Sequence, residues 1–185
     1  LLAERDIAVD GVVRSSDVRT TVKTRVMAER QQVVRVDRED TPERMRAAAE
    51  RAAERLPGAL RNASAVIVED YGKGMVCQPA LDALLREATG ADVPVGLDPK
   101  DMHTLSLRSL RLATPNYKEA CDAAGFPPRD IEEDLMPGGR LAEMAGRLAG
   151  LWDAALLIVT LGAQGMYVAP RGRPHERIGT HAREV

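Results

Sequence analysis

Charged and glycine residues follow four short apolar segments in the second half of the chain. The side chains include lysines, which neutralise phosphate oxygens, together with carboxylates and an amide, which hold hydrated Mg²⁺. The glycines allow backbone N–H groups to approach a nucleotide closely. Together these residue types predict phosphoryl transfer, in which catalysis is mostly positioning and charge stabilisation. The four groups are Asp70 with Lys73, Asp98 with Lys100, Asn116 with Glu119, and Thr160 with Gly162 and Gly165.

Each group taken alone also has a purely structural interpretation. Asn116 and Glu119 have the spacing of a capping box at a helix start. Gly162 and Gly165 are compatible with a tight turn between two strands, and Asp70 is compatible with a helix cap. The sequence contains no GxxxxGK[ST] segment, so a Walker-type phosphate loop is excluded. The recurrence of the same chemistry after four successive segments favours a ligand site over four separate structural features.

The elements that must position these groups alternate between strands and helices. Apolar segments rich in β-branched residues predict strands, and apolar residues at helical spacing predict helices. This alternation indicates a parallel α/β sheet covered on both faces. Ligands of such sheets bind beyond the carboxyl ends of the strands, where the four groups lie. Strands are predicted over 65–68, 93–97, 112–114, 155–160 and 166–169, and helices over 41–57, 79–89, 105–110, 117–124 and 138–151.

Residues 17–37 predict a β-hairpin. β-Branched residues from Val18 to Val26 alternate with polar ones, which is the period-two pattern of a strand. Glu29 and Arg30 fall at the predicted turn, and residues 33–36 carry the return strand. Because one face is polar, the hairpin is expected outside the helix-covered sheet.

The composition limits the classes of partner. Hydrophobic residues make up 44% of the 185 residues, enough for one domain with a core. The formal net charge of −2 gives no reason to expect nucleic acid or an anionic membrane as a partner. Cys77 and Cys121 lie far apart without CxxC spacing, and we expect buried thiols in a reducing compartment. The sequence shows no apolar run of membrane-spanning length and no signal peptide, so a cytoplasmic protein is expected.

The motifs resemble those of the PfkB/ribokinase family of sugar kinases. The NxxE motif of that family matches Asn116-Tyr117-Lys118-Glu119, and its TxGxxG motif matches Thr160, Gly162 and Gly165. Further segments look like the bacterial heptose 7-phosphate kinases, which build ADP-heptose for lipopolysaccharide cores. The resemblance runs over essentially the whole chain, in the order of the family. The further segments are TTVKTR at 20–25, QQVVRVD at 31–37, DYGKG at 70–74 and DPK at 98–100.

The resemblance implies a ribokinase-like three-layer αβα sandwich with a mostly parallel sheet plus a small β-lid. Residues 1–185 would form the central part of one kinase domain, with 65–185 as its nucleotide-binding part. The hairpin at 17–37 would be the lid over the sugar, and it would also join two subunits into a homodimer.

The resemblance also implies ATP and Mg²⁺ as cofactors and a sugar phosphate as substrate. Glu119 would be the metal ligand, and Lys73 and Lys100 would lie near phosphates of either ATP or the sugar. The implied ATP-binding residues are Asn116, Tyr117, Lys118, Glu119, Thr160, Gly162 and Gly165, and the implied phosphate or substrate residues are Asp70, Lys73, Asp98, Lys100 and Arg25.

The sequence departs from the family pattern in two segments and at one residue. The glycine-rich sugar-binding portion that opens the family's domain does not occur, and the GAGD segment with the catalytic base is expected a few residues after Val185. Glu69 stands where relatives often have Ser. We therefore expect the 185 residues alone to be inactive. Two alternatives to a heptose 7-phosphate kinase are a PfkB kinase for another sugar or nucleoside, and a non-catalytic module that binds a nucleotide or a sugar phosphate.

Overall fold

The computed structural model describes residues 2–100, 105–127, 129–136 and 139–180. Near the start of the chain, β1 (Val22–Ala28) and β2 (Gln31–Arg38) pair antiparallel as a separate two-stranded sheet. The turn falls at Glu29 and Arg30, and Glu29 has a positive φ of 54°. The alternation of β-branched and polar residues therefore predicted the hairpin and its turn, but the first strand begins at Val22 rather than at Val18.

The main sheet contains the remaining strands of the described residues in sequence order. The strands β3 (Val66–Glu69), β4 (Val95–Asp98), β5 (Leu112–Ala113) and β6 (Leu156–Thr160) are parallel. They are followed by two antiparallel strands, β7 (Met166–Pro170) and β8 (Glu176–Ile178). The result is the α/β fold that the alternation of elements predicted, with a mixed, mostly parallel sheet as the family resemblance implied rather than a wholly parallel one.

Helices connect the parallel strands and flank the sheet. Helix α4 packs against α6 and β6, and α3 packs against the two helices that precede β3. A proline in the first turn of three of them is favourable, because its missing N–H has no partner there in any case. The helices are α1 (Pro42–Ala53), α2 (Leu56–Leu60), α3 (Gln78–Gly90), α4 (Tyr117–Ala124), α5 (Ile131–Leu135) and α6 (Leu141–Leu151).

The hydrophobic core lies on one face of the sheet. Side chains two residues apart on a strand share a face, and Val95 and Leu97 of β4 are both almost fully buried. Leu157 and Val159 of β6 continue this face with no exposed surface. The α6 side chains at helical spacing, including Met144 and Leu148, belong to the same buried cluster, so the predicted apolar stripe of this helix is its core face.

The opposite face of the sheet is less covered by the described residues. Ile67 of β3 pairs in register with Gly96, and its side chain is 77% exposed. Strand β3 also forms one edge of the sheet. This face therefore presents apolar surface next to a strand edge whose outer backbone groups have no strand partner among the described residues.

The structure differs from the sequence prediction at several element boundaries. The predicted helix over 41–57 is two helices, because α1 ends at Ala53 and Pro57 lies in the first turn of α2. Residues 105–110 are not helical. Their leucines at 107 and 110 are buried against the core without helical geometry. The predicted start of a helix at Gly138 lies outside the described residues, and the helix seen there runs from Leu141 to Leu151.

Two short elements had no counterpart in the prediction. Helix α5 is only five residues long, begins after the cap residue Asp130, and has acidic residues in its first turn. Strand β8 covers three exposed residues, so no apolar pattern marks it in the sequence.

Within the described residues no helix combines the length and the apolar character needed to cross a bilayer.

Candidate nucleotide and sugar-phosphate site

The carboxyl ends of the four parallel strands bring the predicted residues together at one edge of the sheet. The Asp70 backbone N–H donates to the Asp98 carbonyl at 3.0 Å, which joins the ends of β3 and β4. Asn116 forms an isolated parallel bridge with Thr160, which joins the start of α4 to the end of β6. The NxxE and TxGxxG segments are therefore neighbours in space, although 40 residues separate them in sequence.

Asn116 and Glu119 form a complete capping box at the start of α4. The Glu119 N–H donates to Asn116 Oδ1 at 2.9 Å, and the Asn116 N–H donates to Glu119 Oε2 at 2.9 Å. The structural interpretation of this spacing is confirmed. The other carboxylate oxygen of Glu119 is not used in the cap, and it accepts a hydrogen bond from Lys100 Nζ at 3.1 Å.

This division of the two oxygens gives Glu119 a fixed orientation. The cap fixes Oε2 on the helix, so Oε1 is directed toward the strand end that carries Lys100. The Glu119 side chain is 14% exposed, whereas the Lys100 side chain is 57% exposed. A carboxylate and a lysine therefore meet at the amino end of a helix, where the helix dipole favours a bound anion.

Gly162 and Gly165 shape the turn between β6 and β7. Both have positive φ, 58° and 95° respectively, a conformation that costs glycine little. A side chain at Gly165 would also collide with the Ile178 carbonyl oxygen of β8. The Leu161 N–H donates to the Gly165 carbonyl at 2.8 Å and closes the turn. The turn lies directly after Thr160, and Gly165 allows β8 to pack closely against it.

A cavity of about 510 Å³ lies between the hairpin and the end of β3. Thr21 and Lys23 line it from the hairpin side. Asp70, Tyr71 and Lys73 are among the residues that line it from the strand side. Lysines from two separate elements thus face one cavity, which has the size of a small-molecule site.

Lys73 makes a short ion pair with Glu39 at the base of the hairpin. Its Nζ lies 2.6 Å from Glu39 Oε2, and both side chains are about one third exposed. The motif analysis did not single out Glu39, because it stands one residue beyond the return strand in a charged segment. This ion pair ties the hairpin to the loop after β3.

Local hydrogen bonds fix the shape of the loop after β3. Asp70 Oδ1 accepts from the Gly72 N–H at 2.8 Å, and the Tyr71 hydroxyl donates to Glu69 Oε2 at 3.0 Å. The bond to Glu69 raises the pKa of the Tyr71 hydroxyl. Gly72 has a φ of 64°, and a Cβ there would lie 3.3 Å from Lys100 Cγ. The loop therefore packs its backbone against the stem of Lys100.

The remaining predicted residues lie at different distances from this edge. Asp98 Oδ1 accepts a hydrogen bond from the Thr114 hydroxyl at 3.1 Å, between the ends of β4 and β5. Lys118 pairs with Asp122 one helical turn along α4. Arg25 lies on the hairpin, two residues beyond Lys23, and is not among the residues that line the cavity. The site roles of these residues remain predictions.

Tyr117 is directed away from the strand ends. Its hydroxyl donates to Asp134 Oδ2 at 2.6 Å, and burial together with this bond raises its pKa. Asp134 is only 3% exposed and also accepts from the Arg140 guanidinium. The hydrogen bonds from Arg140 lower the pKa of the Asp134 carboxyl to about 2. Sequence analysis missed this pair, because an Asp and an Arg six residues apart give no helical or strand pattern.

A second cavity, of about 560 Å³, lies at the opposite ends of the strands. It is lined by residues that precede β4, β5 and β6. Its charged side chains include Asp153 and Arg171, which pair at 2.7 Å. It contains none of the residues that the motifs predict, and its two aspartates and two arginines balance in charge.

The residues at the first edge suit a hydrated Mg²⁺ better than a metal enclosed by protein. Among the described residues no group of three His, Cys, Asp or Glu side chains could hold a metal ion. Mg²⁺ keeps several waters and is usually bound through one or two carboxylates plus substrate phosphates. Glu119, oriented by its cap and paired with a single lysine, matches that requirement.

Solved structures with the same fold include sugar kinases. Ribokinase from Giardia lamblia superposes with a TM-score of 0.66 at 14% identity, over 92% of this chain and 52% of that one. The tetrameric inhibited form of phosphofructokinase-2 from Escherichia coli gives a TM-score of 0.65 at 16% identity, over 99% of this chain and 58% of that one. The fold is therefore ribokinase-like.

Sequence relatives are more specific. The chain is 34% identical to bifunctional protein HldE of Geobacter sulfurreducens over 98% of its length and 36% of the relative. It is 36% identical to bifunctional protein HldE of Vibrio parahaemolyticus over 91% of its length and 33% of the relative. A scan against models of known protein families finds no match.

The fold and these relatives together confirm the predicted resemblance. The chain has a ribokinase-like fold and is similar in sequence to HldE proteins over nearly all of its length. It spans about a third of the length of the curated HldE relatives that it matches.

Proposed function

We propose that the full-length protein is an ATP-dependent kinase that phosphorylates D-glycero-D-manno-heptose 7-phosphate at its anomeric hydroxyl, giving the 1,7-bisphosphate. This step would serve ADP-heptose and lipopolysaccharide core synthesis. The observation that carries the proposal is the similarity to HldE proteins over nearly the whole chain. A carboxylate and lysines near the carboxyl ends of the parallel strands support it.

The proposed nucleotide end of the site is built from α4 and the ends of β4 and β6. Glu119 would hold Mg²⁺ through Oε1, the oxygen that its cap leaves for Lys100. Lys100 would then exchange its bond with Glu119 for a bond with a phosphate oxygen of ATP. Thr160, Gly162 and Gly165 would lie against the nucleotide, because they follow the strand that borders Asn116.

The proposed sugar-phosphate end is the cavity beneath the hairpin. Lys23 and Lys73 both line it and come from separate elements. A phosphate dianion fits two lysines better than one, since each ammonium group neutralises part of its charge. We therefore assign the 7-phosphate of the sugar to Lys73 and the phosphates of ATP to Lys100, a division that the sequence left open.

In the proposed reaction the anomeric oxygen bonds to the γ-phosphorus of ATP in line while the bond to the β–γ bridging oxygen breaks and ADP leaves. The role of this chain is to bind and orient. Mg²⁺ would neutralise charge that develops on the transferred phosphoryl group. Lys100 would stabilise the same charge from the protein side. The resemblance assigns the proton acceptor to a GAGD segment after Val185, so none of the described residues is proposed as the base.

The hairpin is proposed to join two copies of the protein. Alternate residues of β1 share one face of the hairpin with the β2 residues opposite them. This face carries valines 22, 26, 34 and 36, and each of these valines is about half exposed. A row of exposed β-branched side chains on a two-stranded sheet is suited to packing against a second copy, which would bury the row on both sides.

Substrate selection by the full-length protein tests the proposal. We expect ADP release with heptose 7-phosphate to exceed that with fructose 6-phosphate or ribose by orders of magnitude in kcat/KM. Preference for fructose 6-phosphate, ribose or a nucleoside would replace the heptose assignment with another PfkB activity. Mg·ATP binding without turnover of any of these sugars would favour a binding module.

A further inference from the structure

A buried ion pair lies behind the proposed nucleotide site. The Asp134 carboxylate is 1% exposed and the Arg140 side chain 12% exposed. Arg140 binds the carboxylate in a fork: its Nε donates to Oδ1 at 2.9 Å, and a terminal nitrogen donates to Oδ2 at 2.8 Å. The Arg140 backbone N–H adds a bond to Oδ1 at 3.3 Å. Planar, two-point contacts of this kind restrict orientation as well as distance.

The ion pair is connected directly to the first residue of α4. The Tyr117 hydroxyl donates to Asp134 Oδ2 at 2.6 Å, so one carboxylate binds both Tyr117 and Arg140. Arg140 also donates to the Pro127 carbonyl at 3.1 Å and lies over the Phe126 ring. The segment that follows α4 therefore folds back and contacts the beginning of the same helix.

The backbone around the ion pair is also closely packed. A Cβ added at Gly139 would collide with the carbonyl oxygen of Asp134. The segment that carries Arg140 therefore approaches α5 more closely than a residue with a side chain would permit.

Stability alone is a weak reason for such a pair. Replacing a buried ion pair by apolar residues of similar volume is often neutral or stabilising, because desolvating two charges offsets much of their attraction. A forked ion pair fixes the direction of the Tyr117 side chain, whereas an apolar cluster would not. Tyr117 lies between Asn116 and Glu119, which form the cap.

We infer that Asp134 and Arg140 are positioning residues for the nucleotide site. They hold Tyr117, and through it the first turn of α4, in the orientation that directs Glu119 Oε1 at Lys100. The inference rests on the proposed function, because it assigns the ion pair to the Mg·ATP half of that site. Outer residues that orient a metal ligand typically change metal affinity or activity by about 10–100-fold when they are removed.

The test compares Mg·ATP affinity among variants of the full-length protein. Asp134→Asn removes the charge and keeps the side-chain volume, and Tyr117→Phe removes only the hydroxyl that links the pair to α4. Asp153→Asn is the matched control, since Asp153 also pairs with an arginine, at the opposite ends of the strands. The dissociation constants of Mg·ATP and of heptose 7-phosphate are measured by calorimetry, with melting temperatures in parallel.

We expect Asp134→Asn to raise the Mg·ATP dissociation constant about ten-fold and to leave that of heptose 7-phosphate unchanged. Tyr117→Phe should move Mg·ATP affinity in the same direction, and it decides the question if Asp134→Asn does not fold. Asp153→Asn should leave Mg·ATP affinity within about two-fold, since distant sites act independently. In a Glu119→Gln background Asp134→Asn should have no further effect, because both changes act through one carboxylate.

Several results would overturn the inference. Wild-type Mg·ATP affinity in both Asp134→Asn and Tyr117→Phe, with a lowered melting temperature, would make the pair purely structural and leave the proposed function intact. Equal losses of Mg·ATP and heptose 7-phosphate affinity would also contradict it. If the wild-type protein binds no Mg·ATP, the proposed function itself is overturned, and the positioning role with it.

Discussion

Glu119 combines a structural and a proposed chemical role through its two carboxylate oxygens. One oxygen caps α4 and the other accepts from Lys100. Sequence spacing alone could not separate a capping box from a metal site, because both require an acidic residue three positions after Asn116. In the structure the cap uses only Oε2, so it is compatible with the proposed metal role of Oε1.

The substitution Glu119→Gln separates the two roles. Gln can still accept the cap bond, so we expect the melting temperature to change little. It brings no charge to Mg²⁺, so we expect kcat to fall by about 10²–10³-fold and the Mg²⁺ concentration for half-maximal rate to rise. Steady-state kinetics over a Mg²⁺ titration measures both effects.

Asn116→Ala is the matched control for this substitution. It removes the other half of the cap and should cost about 0.5–2 kcal/mol of stability. Near-normal kinetics in Glu119→Gln together with a lowered melting temperature would make Glu119 only a cap, and the nucleotide assignment at this strand end would be wrong.

Substitutions of the two lysines at neighbouring strand ends should affect different ligands. Lys73→Met should weaken heptose 7-phosphate binding and spare ATP, because Lys73 lines the cavity beneath the hairpin. Lys100→Met should weaken ATP binding and spare the sugar, because Lys100 pairs with Glu119. Calorimetric titrations with each ligand measure the four affinities, and each variant serves as the control for the other. The reverse pattern would exchange the two phosphate assignments.

At the scale of elements, the hairpin is the part most open to direct manipulation. Val26→Lys places a charge in the middle of its valine face, and we expect the full-length protein to dissociate into monomers at micromolar concentration. Met27→Lys is the control, because the neighbouring residue on a strand points to the opposite face and is similarly exposed. Sedimentation velocity distinguishes the species. A Val26→Lys protein that stays dimeric would place the subunit contact elsewhere.

Elements with a strong periodic pattern could be predicted from the sequence, and elements without one could not. The helix over 117–124 was predicted with its bounds, and Asn116 and Glu119 mark its start; in the structure it ends at Gly125, which has a φ of 72°. Leu107 and Leu110 suggested a helix, but they are buried in an irregular segment. Their apolar character reflects burial against the core, and burial does not require helical geometry.

The part of the candidate site that local motifs define could be predicted from the sequence. The part that depends on tertiary contacts could not. The strand-end rule placed Lys100 and Glu119 at one edge, and the structure joins them. Lys23 lines the cavity and Glu39 pairs with Lys73 only because the hairpin packs against the loop after β3, which no local spacing encodes.

At the scale of the whole molecule, the buried Asp134 carboxyl links stability to pH. Its pKa is about 2 in the folded protein, against a usual value of 3.8. The lowered pKa stabilises the folded protein fully at pH values above the usual pKa. That contribution is lost as the pH falls from about 4 to 2. The shift corresponds to about 2 kcal/mol, since one pKa unit is about 1.4 kcal/mol.

Urea unfolding of the wild type and Asp134→Asn at pH 6 and pH 3 measures this linkage. We expect Asp134→Asn to be less stable than the wild type at pH 6 and to lose less stability between pH 6 and pH 3. An equal loss in both proteins would mean that Asp134 does not titrate with a lowered pKa. Asp153→Asn is the comparison, because Asp153 belongs to an exposed ion pair. We expect this substitution to have less effect on the stability lost between pH 6 and pH 3.

The uncovered face around Ile67 has a consequence for the colloidal behaviour of the 185-residue chain produced by itself. A strand edge flanked by apolar side chains is a template for pairing with strands of other molecules, and a 77% exposed isoleucine lies in the middle of β3. Light scattering of that chain should therefore rise steeply with concentration. Ile67→Lys should suppress the rise, because an edge lysine must be desolvated before another strand can pair there. Leu151→Lys, at a 58% exposed apolar position at the end of α6, should not.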